Sequence, residues 1–353
     1  MNDVNDMDDK CDSNEPREII TVWPDFADAF VCKADTCQHT CCRGWEIDID
    51  AATVAYYDSL EGPIGEELRR NIDAQADGTH SFHLTADEQC PFLREDGLCR
   101  LIRTLGEEAL CEVCTMHPRF FIMSGQLELA GFGLACEKAV ELLLAADSLR
   151  LRAEGERQSF DFGALLAFLG REVPREWLLP PRELTLAQFS FLLAQMKDTE
   201  PIDAVWPQQL TALRLDCKKL LPRYAKLLSE QGERAAEKLV SYLLYRQLSK
   251  ADAYGMEALC RYARCNAAFI YLLAAKTHDL PEAVRRWSEQ IEYDEVNTAR
   301  LIEACGPRSF EKWIEEMSRA EGLPSGRDIF VFRRDEYGAA CHACGYGCVL
   351  CLG

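Results

Sequence analysis

Residues 30–50 of this 353-residue chain read FVCKADTCQHTCCRGWEIDID and carry four cysteines, two of them adjacent. Between residues 32 and 136 the chain places nine cysteines, namely Cys32, Cys37, Cys41, Cys42, Cys90, Cys99, Cys111, Cys114 and Cys136. In a reducing compartment, thiols at this density are more typical of metal binding than of disulfides. We therefore predict that they converge on a metal or iron–sulfur centre. The alternative is a set of separate thiols buried in the core.

The spacing of these cysteines supports a site assembled by the fold. Structural zinc and iron–sulfur clusters each need four converging ligands. Cys90 and Cys99 flank PFLREDGL, whose Asp96-Gly97 predicts a turn that brings the two sulfurs together. Because adjacent cysteines do not readily bind one ion, we expect Cys41 or Cys42 to face another centre or the core.

Composition limits the classes of function. The chain has 39 basic and 59 acidic residues, a net charge of −20. This charge argues against binding to nucleic acid, which requires a basic surface. It is compatible with a basic, lysine-bearing protein partner, or serves only to keep the protein soluble. The N-terminus has no signal-peptide pattern and no window suits a membrane span, so we expect a cytoplasmic protein without membrane contact.

The pattern along the chain predicts a mainly α protein. Trp45, Ile47 and Ile49 alternate with acidic residues and predict a short strand, and residues 120–132 predict a hairpin. Helical spacing covers residues 51–74 and 136–151. Beyond residue 160 it is almost continuous, which predicts a bundle of six to eight helices whose ends are marked by prolines such as Pro222.

We thus predict an irregular, cysteine-rich α+β N-terminal half with short strands, packed on a C-terminal α-helical bundle. The predicted boundaries are a disordered acidic segment 1–18, a metal-binding half 19–150, a bundle 151–325 and a tail 326–353.

Four blocks of the N-terminal half resemble the flagellin lysine-N-methylase family. The matching residues are Phe30-Val-Cys32, Cys37, Cys41-Cys42-Arg-Gly-Trp45, Asp48 and Asp50; Cys90-Pro-Phe-Leu93 with Gly97-Leu-Cys99; Leu105-Gly-Glu107, Leu110, Cys114 and Pro118-Arg119; and Leu134-Ala-Cys136-Glu137 with Ala139. The order of the cysteines is also similar to that of zinc- or iron-chelating CxxCxxCC-type domains. The likeness covers residues 22–145 and is looser in the helical half, where Ile291-Glu292 and Asn297 fall in a stretch of familial appearance.

The resemblance implies an enzyme that methylates lysine side chains of flagellin, with S-adenosylmethionine as donor and a bound [4Fe–4S] cluster. The metal ligands that it implies are Cys32, Cys37, Cys41, Cys42, Cys90, Cys99, Cys114 and Cys136. Cys111 lies outside the family pattern, and His117 stands where the family usually has an aromatic residue.

Methyl transfer to lysine needs a neutral amine, whereas a free lysine is nearly all protonated at pH 7. Asp48, Asp50 and Glu137, close to cluster cysteines, are candidates for steering the substrate lysine. The alternatives are a solvated strand face and the first turn of a helix. Arg119 is a candidate to bind the carboxylate of the methionine moiety, or else a surface residue of a turn.

A second cysteine group stands near the C-terminus, formed by Cys341, Cys344, Cys348 and Cys351. The spacing Cys344-x3-Cys348-x2-Cys351 is that of radical S-adenosylmethionine enzymes, but no strand–helix alternation accompanies it. An accessory zinc or iron–sulfur site and a tail without function are the alternatives.

Two alternative functions do not involve catalysis. One is a non-catalytic protein that stores or senses zinc or iron, and the other is an interaction module stabilised by a structural metal.

Overall fold

The computed structural model describes residues 19–306. The acidic segment 1–18 and the second cysteine group, Cys341, Cys344, Cys348 and Cys351, lie outside the described residues. Within them the protein is mainly α-helical with a small mixed sheet, which confirms the predicted fold class. No helix in the described part of the chain is long and apolar enough to cross a membrane.

The cysteine-rich segment consists of short elements. After strand β1 (Ile20–Pro24) and two 3-10 turns (Asp25–Ala29 and Ala34–Thr36) it contains α1 (Ala51–Ser59), α2 (Gly62–Arg70), β2 (Ile72–Ala74), β3 (His80–Phe82), α3 (Arg100–Leu105), a 3-10 turn (Glu107–Ala109) and α4 (Glu112–Met116). The helical character predicted over 51–74 is confirmed for α1 and α2, while residues 72–74 form β2 instead. The helical stretch is divided between Ser59 and Gly62. It breaks where Gly62 takes a φ of +79°, a left-handed conformation suited to glycine, and Pro63 starts a new first turn.

The strand predicted at residues 45–49 is present only as an isolated bridge. Ile47 and Ile49 are buried as the alternation predicts, while Asp48 is exposed. The Ile49 N–H donates to the His80 carbonyl and the Phe82 N–H donates to the Ile47 carbonyl. The segment therefore runs beside β3 without forming a regular ladder.

A five-stranded sheet has the order β4-β5-β1-β6-β7, with β4 (Arg119–Ser124), β5 (Leu127–Phe132), β6 (Arg150–Ala153) and β7 (Phe160–Asp161). Strands β4 and β5 form the predicted hairpin. Strand β1 pairs parallel to β5 and antiparallel to β6. The helix predicted over 136–151 is shorter, since α5 covers Glu137–Ala145. Leu149 and Leu151 are buried on either side of an exposed Arg150, a period of two that is typical of the strand β6 beginning there.

The remaining described chain is helical, with α6 (Phe162–Phe168), α7 (Leu186–Lys197), α8 (Val205–Leu215), α9 (Cys217–Gln231), α10 (Glu233–Tyr245), α11 (Ala251–Tyr254), α12 (Met256–Thr277), α13 (Leu280–Ile291) and α14 (Glu295–Ala304), and 3-10 turns at Arg175–Leu178 and Leu248–Lys250. These nine helices up to residue 306 exceed the six to eight predicted, because the long apolar stripe from Leu210 to Leu228 divides at Asp216. Pro222 lies inside α9 instead of at a helix end, where it removes one backbone donor. Helix α12 is buried on most of its surface and forms the centre of the bundle.

Two hydrophobic cores organise the described residues. The small core comprises Ile47, Ile49, Tyr57, Leu68, Phe82, Cys90, Phe92, Leu101 and Cys111. The main core joins the five-stranded sheet, α5 and the helices from α6 onward. The sheet thus shares its core with the bundle, while residues 47–114 pack among themselves. The domain boundaries drawn from the sequence stay predictions.

Two buried tyrosines of α10 bind the sheet to the bundle. The Tyr242 hydroxyl donates to the Phe132 carbonyl (2.7 Å) and accepts from the Phe132 N–H (2.9 Å). The Tyr245 hydroxyl donates to the Val22 carbonyl (2.7 Å) and lies 2.9 Å from the Ala130 carbonyl. Strands β1 and β5 are thereby fixed to the same helix face.

An ion pair joins the start of α8 to α13. Arg286 Nη2 lies 2.7 Å from Asp203 Oδ1, which also accepts from the backbone N–H groups of Val205 and Trp206 at 2.9 Å each. Partial burial by itself raises the pKa of Asp203, but the bonds from Arg286 and the backbone outweigh it and hold that pKa below the ordinary 3.8.

Replacing Tyr242 with phenylalanine leaves both backbone groups of Phe132 without this partner in a dry core. We expect a loss of about 1–3 kcal/mol in the free energy of unfolding, measured by urea titration. Tyr56→Phe is the control, because Tyr56 is 38% exposed. Equal stability of Tyr242→Phe and the wild type would contradict the assignment.

Asp203→Asn should destabilise the protein at neutral pH. Because the folded-state pKa of Asp203 is depressed, its contribution is present above 3.8 and is lost as the pH falls below that value. The difference between variant and wild type should therefore shrink between pH 6 and pH 3 in urea titrations. Asp252→Asn, which removes an 85% exposed partner of Arg171, should show little difference at any pH.

Candidate metal centre

Five cysteines gather around the small core, and we call them the inner thiol group: Cys42, Cys90, Cys99, Cys111 and Cys114. Cys90 and Cys111 are buried in this core and the other three pack against it. The Cys90 N–H donates to the Cys42 carbonyl (2.9 Å), which joins two segments 48 residues apart in sequence. The turn predicted at Asp96-Gly97 is confirmed. Gly97 has a φ of +78°, and the backbones of Leu93 and Cys99 on either side of it form an isolated antiparallel β-bridge. The loop therefore returns Cys99 to the neighbourhood of Cys90.

The thiols of the inner group interact with one another. Burial, together with negative charge on Cys99 and Cys111, raises the pKa of Cys90 to about 11. Cys111 and Cys114 share a thiol hydrogen bond, which raises the pKa of Cys114 and lowers that of Cys111. Negative charge on Cys42 also acts on Cys114. The raised pKa values of Cys90 and Cys114 favour their protonated thiols, whereas the thiol hydrogen bonds from Cys41 and Cys114 lower the pKa values of Cys42 and Cys111.

Four other cysteines form what we call the outer thiol group: Cys32, Cys37, Cys41 and Cys136. The Cys37 thiol donates to the His39 carbonyl (2.7 Å), and negative charge on Cys136 helps to raise the pKa of Cys37. Burial raises the pKa of Cys136, with smaller contributions from Cys32 and Cys41. Cys32 and Cys41 are exposed, so this group lies closer to solvent than the inner one.

The eight cysteines of the familial pattern thus divide into four inner and four outer thiols. Cys111, outside that pattern, joins the inner group, and its spacing of three from Cys114 was the signal in the sequence. Every cysteine of residues 19–306 is a free thiol. Among these residues no three His, Cys, Asp or Glu side chains stand in positions that would hold a metal ion together. Soft thiolate donors nevertheless suit iron–sulfur clusters and zinc, and the ligand assignment stays a prediction.

Glu137 fastens the outer loop to the start of α5. Its carboxylate accepts from Lys33 Nζ (2.8 Å), from the His39 N–H (2.6 Å) and lies 2.7 Å from His39 Nδ1. Partial burial raises the pKa of Glu137, but the bonds from Lys33 and His39 outweigh it and bring the pKa to about 2. The structure thus gives Glu137 a positioning role, while its part in catalysis stays a prediction.

The other two candidate carboxylates differ from each other. Asp50 accepts from the Thr53 N–H (2.9 Å) and hydroxyl (2.7 Å) at the start of α1, and from the Glu112 N–H (2.9 Å) at the start of α4. Asp50 therefore holds the helix of Cys114 against α1. Asp48 is exposed beside β3 and is open to a substrate.

Arg119 is exposed at the start of β4, with its guanidinium 5.4 Å from the Phe30 ring centre and 5.9 Å from that of Phe132. The two rings stack on each other at 4.5 Å. The cation is thus held on an aromatic platform with its edge toward solvent, which suits a role in binding a carboxylate.

Trp45 and His117 form an aromatic contact beside the first cysteine loop. Their rings lie 5.6 Å apart, and Trp45 Nε1 donates to the Cys41 carbonyl (2.7 Å). Burial lowers the pKa of His117 to about 4, so the imidazole is neutral at pH 7. An uncharged imidazole ring thus occupies the position at which the family that the sequence resembles usually has an aromatic residue.

A buried ion pair beside this region has no counterpart among the sequence predictions. Arg246 Nε lies 2.9 Å from Glu292 Oε1, and the Glu292 side chain is only 3% exposed. The guanidinium also lies 4.8 Å from the Phe120 ring centre. A Cβ at Gly133 would stand 3.3 Å from Arg246 Nη1, so the short Gly131-Phe-Gly133 stretch was the available signal. Asn297 is separate from this pair, since it binds the backbone of Glu200.

Fold and site together define a mainly α-helical protein whose cysteine-rich segment carries two groups of free thiols. The chain is 31% identical to the flagellar biosynthetic protein FliU of Salmonella muenchen over 156 residues, which are 42% of this chain and 90% of that protein. The chain therefore belongs to the family of the flagellar biosynthetic protein FliU.

Lysine-N-methylases are also similar to part of the chain. Those of Salmonella typhimurium and Salmonella choleraesuis are each 32% identical over 108 residues, 29% of this chain. The match spans 27% of the length of either methylase. No protein-family model matches the chain, and no solved structure matches it.

Glu137→Ala should free the outer loop, because Lys33 and His39 lose their shared acceptor. We expect faster hydrogen exchange at the backbone amides of residues 37–42, followed by mass spectrometry. Glu141→Ala is the matched control, since Glu141 contacts Lys33 and Lys138 from the same helix but not His39. Unchanged exchange in Glu137→Ala would show that the loop is held by other contacts.

Proposed function

We propose that this chain is a protein lysine methyltransferase that acts on flagellin with S-adenosylmethionine as methyl donor, and that the inner thiol group binds a [4Fe–4S] cluster. The observation that carries the proposal is the gathering of Cys42, Cys90, Cys99 and Cys114 around one small core. The similarity to lysine-N-methylases and to FliU supplies the reaction and the flagellar context.

The chemistry of the donor set, five thiols around one small core, supports the proposed cluster. The four motif thiols of the inner group come from separate loops and short helices, and Cys111 adds a fifth donor. A bound [4Fe–4S] cluster supplies thiolate-held iron with Lewis-acid and one-electron chemistry. The surrounding apolar side chains keep the thiols largely out of water.

The chain's own groups must bind a lysine and make its amine neutral. Asp48, exposed beside β3, is placed to attract the ammonium group of the substrate. Removing the amine from water lowers its pKa and favours the neutral nucleophile. Arg119, on its aromatic platform, is placed to bind the carboxylate of the donor's methionine moiety. Asp50 and Glu137 act in this scheme by holding the cysteine loops.

Charge and redox state are consistent with a flagellin substrate in the cytoplasm. A net charge of −20 attracts a lysine-bearing protein surface and disfavours nucleic acid. Free thiols throughout residues 19–306 suit a reducing compartment.

A second candidate is a metal-chelating protein without catalytic activity. It is favoured by the likeness of the cysteine order to chelating domains and by the exposure of Cys32 and Cys41, which gives an ion access from solvent.

The two candidates predict different properties of the full chain purified without oxygen. The methyltransferase should be brown, with the visible absorption of an iron–sulfur cluster, and should transfer label from methyl-labelled S-adenosylmethionine to lysines of recombinant flagellin. Cys99→Ser should abolish both colour and labelling. Cys260→Ser, which changes a buried thiol of the main core outside both thiol groups, should keep both. Chain with an intact cluster that labels no lysine would refute the enzymatic proposal.

A further inference from the structure

We propose that Cys265 and Cys305 are a redox-active pair of thiols, which a hydroperoxide oxidises to a reversible disulfide between α12 and the end of α14. Both residues belong to the helical bundle and lie outside the inner and outer thiol groups. The proposal goes beyond methyl transfer, and its test requires neither flagellin nor S-adenosylmethionine.

The fold brings these two thiols together from positions 40 residues apart in sequence. Cys265 lies in the middle of α12, and Cys305 directly follows α14, where its N–H donates to the carbonyls of Leu301 and Ile302. The two thiols share a hydrogen bond. Arg261, one helical turn before Cys265, places its Nη1 3.5 Å from the Cys305 carbonyl. Backbone and thiol contacts thus join the same parts of two helices.

The surroundings give the two thiols different properties. Cys305 is only 3% exposed, whereas Cys265 is partly exposed and packs against the main core. The hydrogen bond from the Cys305 thiol lowers the pKa of Cys265, and the positive charges of Arg264 and Arg261 add to this, while burial opposes it. The same hydrogen bond and burial raise the pKa of Cys305. Cys265 is therefore the thiolate of the pair, and Cys305 is the thiol that donates to it.

This combination is the one that a redox-sensitive cysteine requires. The thiolate is the nucleophile, and neighbouring cationic side chains favour it. Redox sensors typically combine a thiolate of lowered pKa that solvent can reach with a second thiol beside it. Because Cys265 is only partly exposed, a small hydroperoxide reaches its sulfur more easily than a bulky disulfide does. In a reducing compartment a disulfide of this kind is transient and regulatory.

The reaction balances in two steps. The Cys265 thiolate attacks one peroxide oxygen, the O–O bond breaks, and the leaving oxygen departs as hydroxide, which takes up a proton to form water. Cys265 is then a sulfenic acid. The Cys305 sulfur attacks the Cys265 sulfur, the S–O bond breaks, and the leaving hydroxide takes the Cys305 proton to form a second water. The two thiols lose two electrons in total, and the peroxide gains them.

Cys260 is the matched control within the same helix. It is 1% exposed, and burial raises its pKa to about 12 although Arg264 acts in the opposite direction. Cys260 therefore stays a protonated, inaccessible thiol at neutral pH. We expect it to react with peroxide far more slowly than Cys265.

The test is peptide mapping of the full chain, purified without oxygen and treated with a small molar excess of hydrogen peroxide. Catalase then removes the peroxide, and N-ethylmaleimide blocks the remaining thiols during denaturation. Trypsin places the three thiols on separate peptides, 251–261 for Cys260, 265–276 for Cys265 and 301–308 for Cys305. We expect peptides 265–276 and 301–308 to appear as one disulfide-linked species that dithiothreitol separates, and peptide 251–261 to carry the maleimide.

Two variants assign the roles within the pair. In Cys305→Ser the oxidation of Cys265 should stop at the sulfenic acid, which dimedone labels on peptide 265–276. In Cys265→Ser the Cys305 thiol should stay reduced and take up maleimide. Dimedone on Cys305 in this variant, with none on Cys265 in the other, would contradict the assignment of Cys265 as the attacking thiol.

The decisive measurement is made on the wild-type chain, so it does not depend on the folding of a variant. Peptides 265–276 and 301–308 that both carry maleimide after peroxide treatment would overturn the proposal. Linkage of peptide 251–261 to 301–308 in equal amount would overturn it too, because Cys305 would then have no selective partner.

Discussion

The hydrogen bonds from Tyr242 and Tyr245 to strands β5 and β1 are the interaction on which the position of the outer thiol group depends. Both hydroxyls are buried on α10 and bind backbone groups more than 100 residues away. Strand β1 leads into the outer cysteine loop, and β5 leads through Gly133 to Cys136. By fixing both strands to one helix, α10 sets the distance between two segments that the sequence places far apart. The helical bundle thus acts as the scaffold for thiols that it does not itself contain.

The sequence predicts local features of this fold well, and long-range ones poorly. The hairpin at 120–132, the turn at Asp96-Gly97 and the burial of Ile47 and Ile49 follow from side-chain alternation and glycine conformation within a few residues. The division of the cysteines follows from packing instead, because it depends on which hydrophobic core each segment joins. The spacing of apolar residues within a single helix or strand does not contain that information. The separate small core and the division at Asp216 were missed for the same reason.

The carboxylates near the cysteines show how proximity in sequence differs from function in space. Asp50 and Glu137 were selected as candidates because they follow cysteines, and each proves to hold a cysteine-bearing segment through several hydrogen bonds. Asp48, one alternation away, keeps its side chain in solvent. The sequence alone could not separate these roles, because the Asp50 and Glu137 carboxylates accept hydrogen bonds from backbone and side-chain groups that are distant in sequence.

The Arg246–Glu292 pair limits which amino-acid substitutions the protein can accept in evolution. The Glu292 carboxylate is almost wholly removed from water and the Arg246 guanidinium largely so, and loss of Arg246 alone would leave Glu292 buried with only the Ser288 hydroxyl as partner among the described residues. An exchange of both together for apolar side chains is far less costly. The same limit applies to Gly133, because the Cβ of a larger residue would lie 3.3 Å from Arg246 Nη1 and crowd the guanidinium. These three positions should therefore change in concert among descendants of this sequence, or not at all.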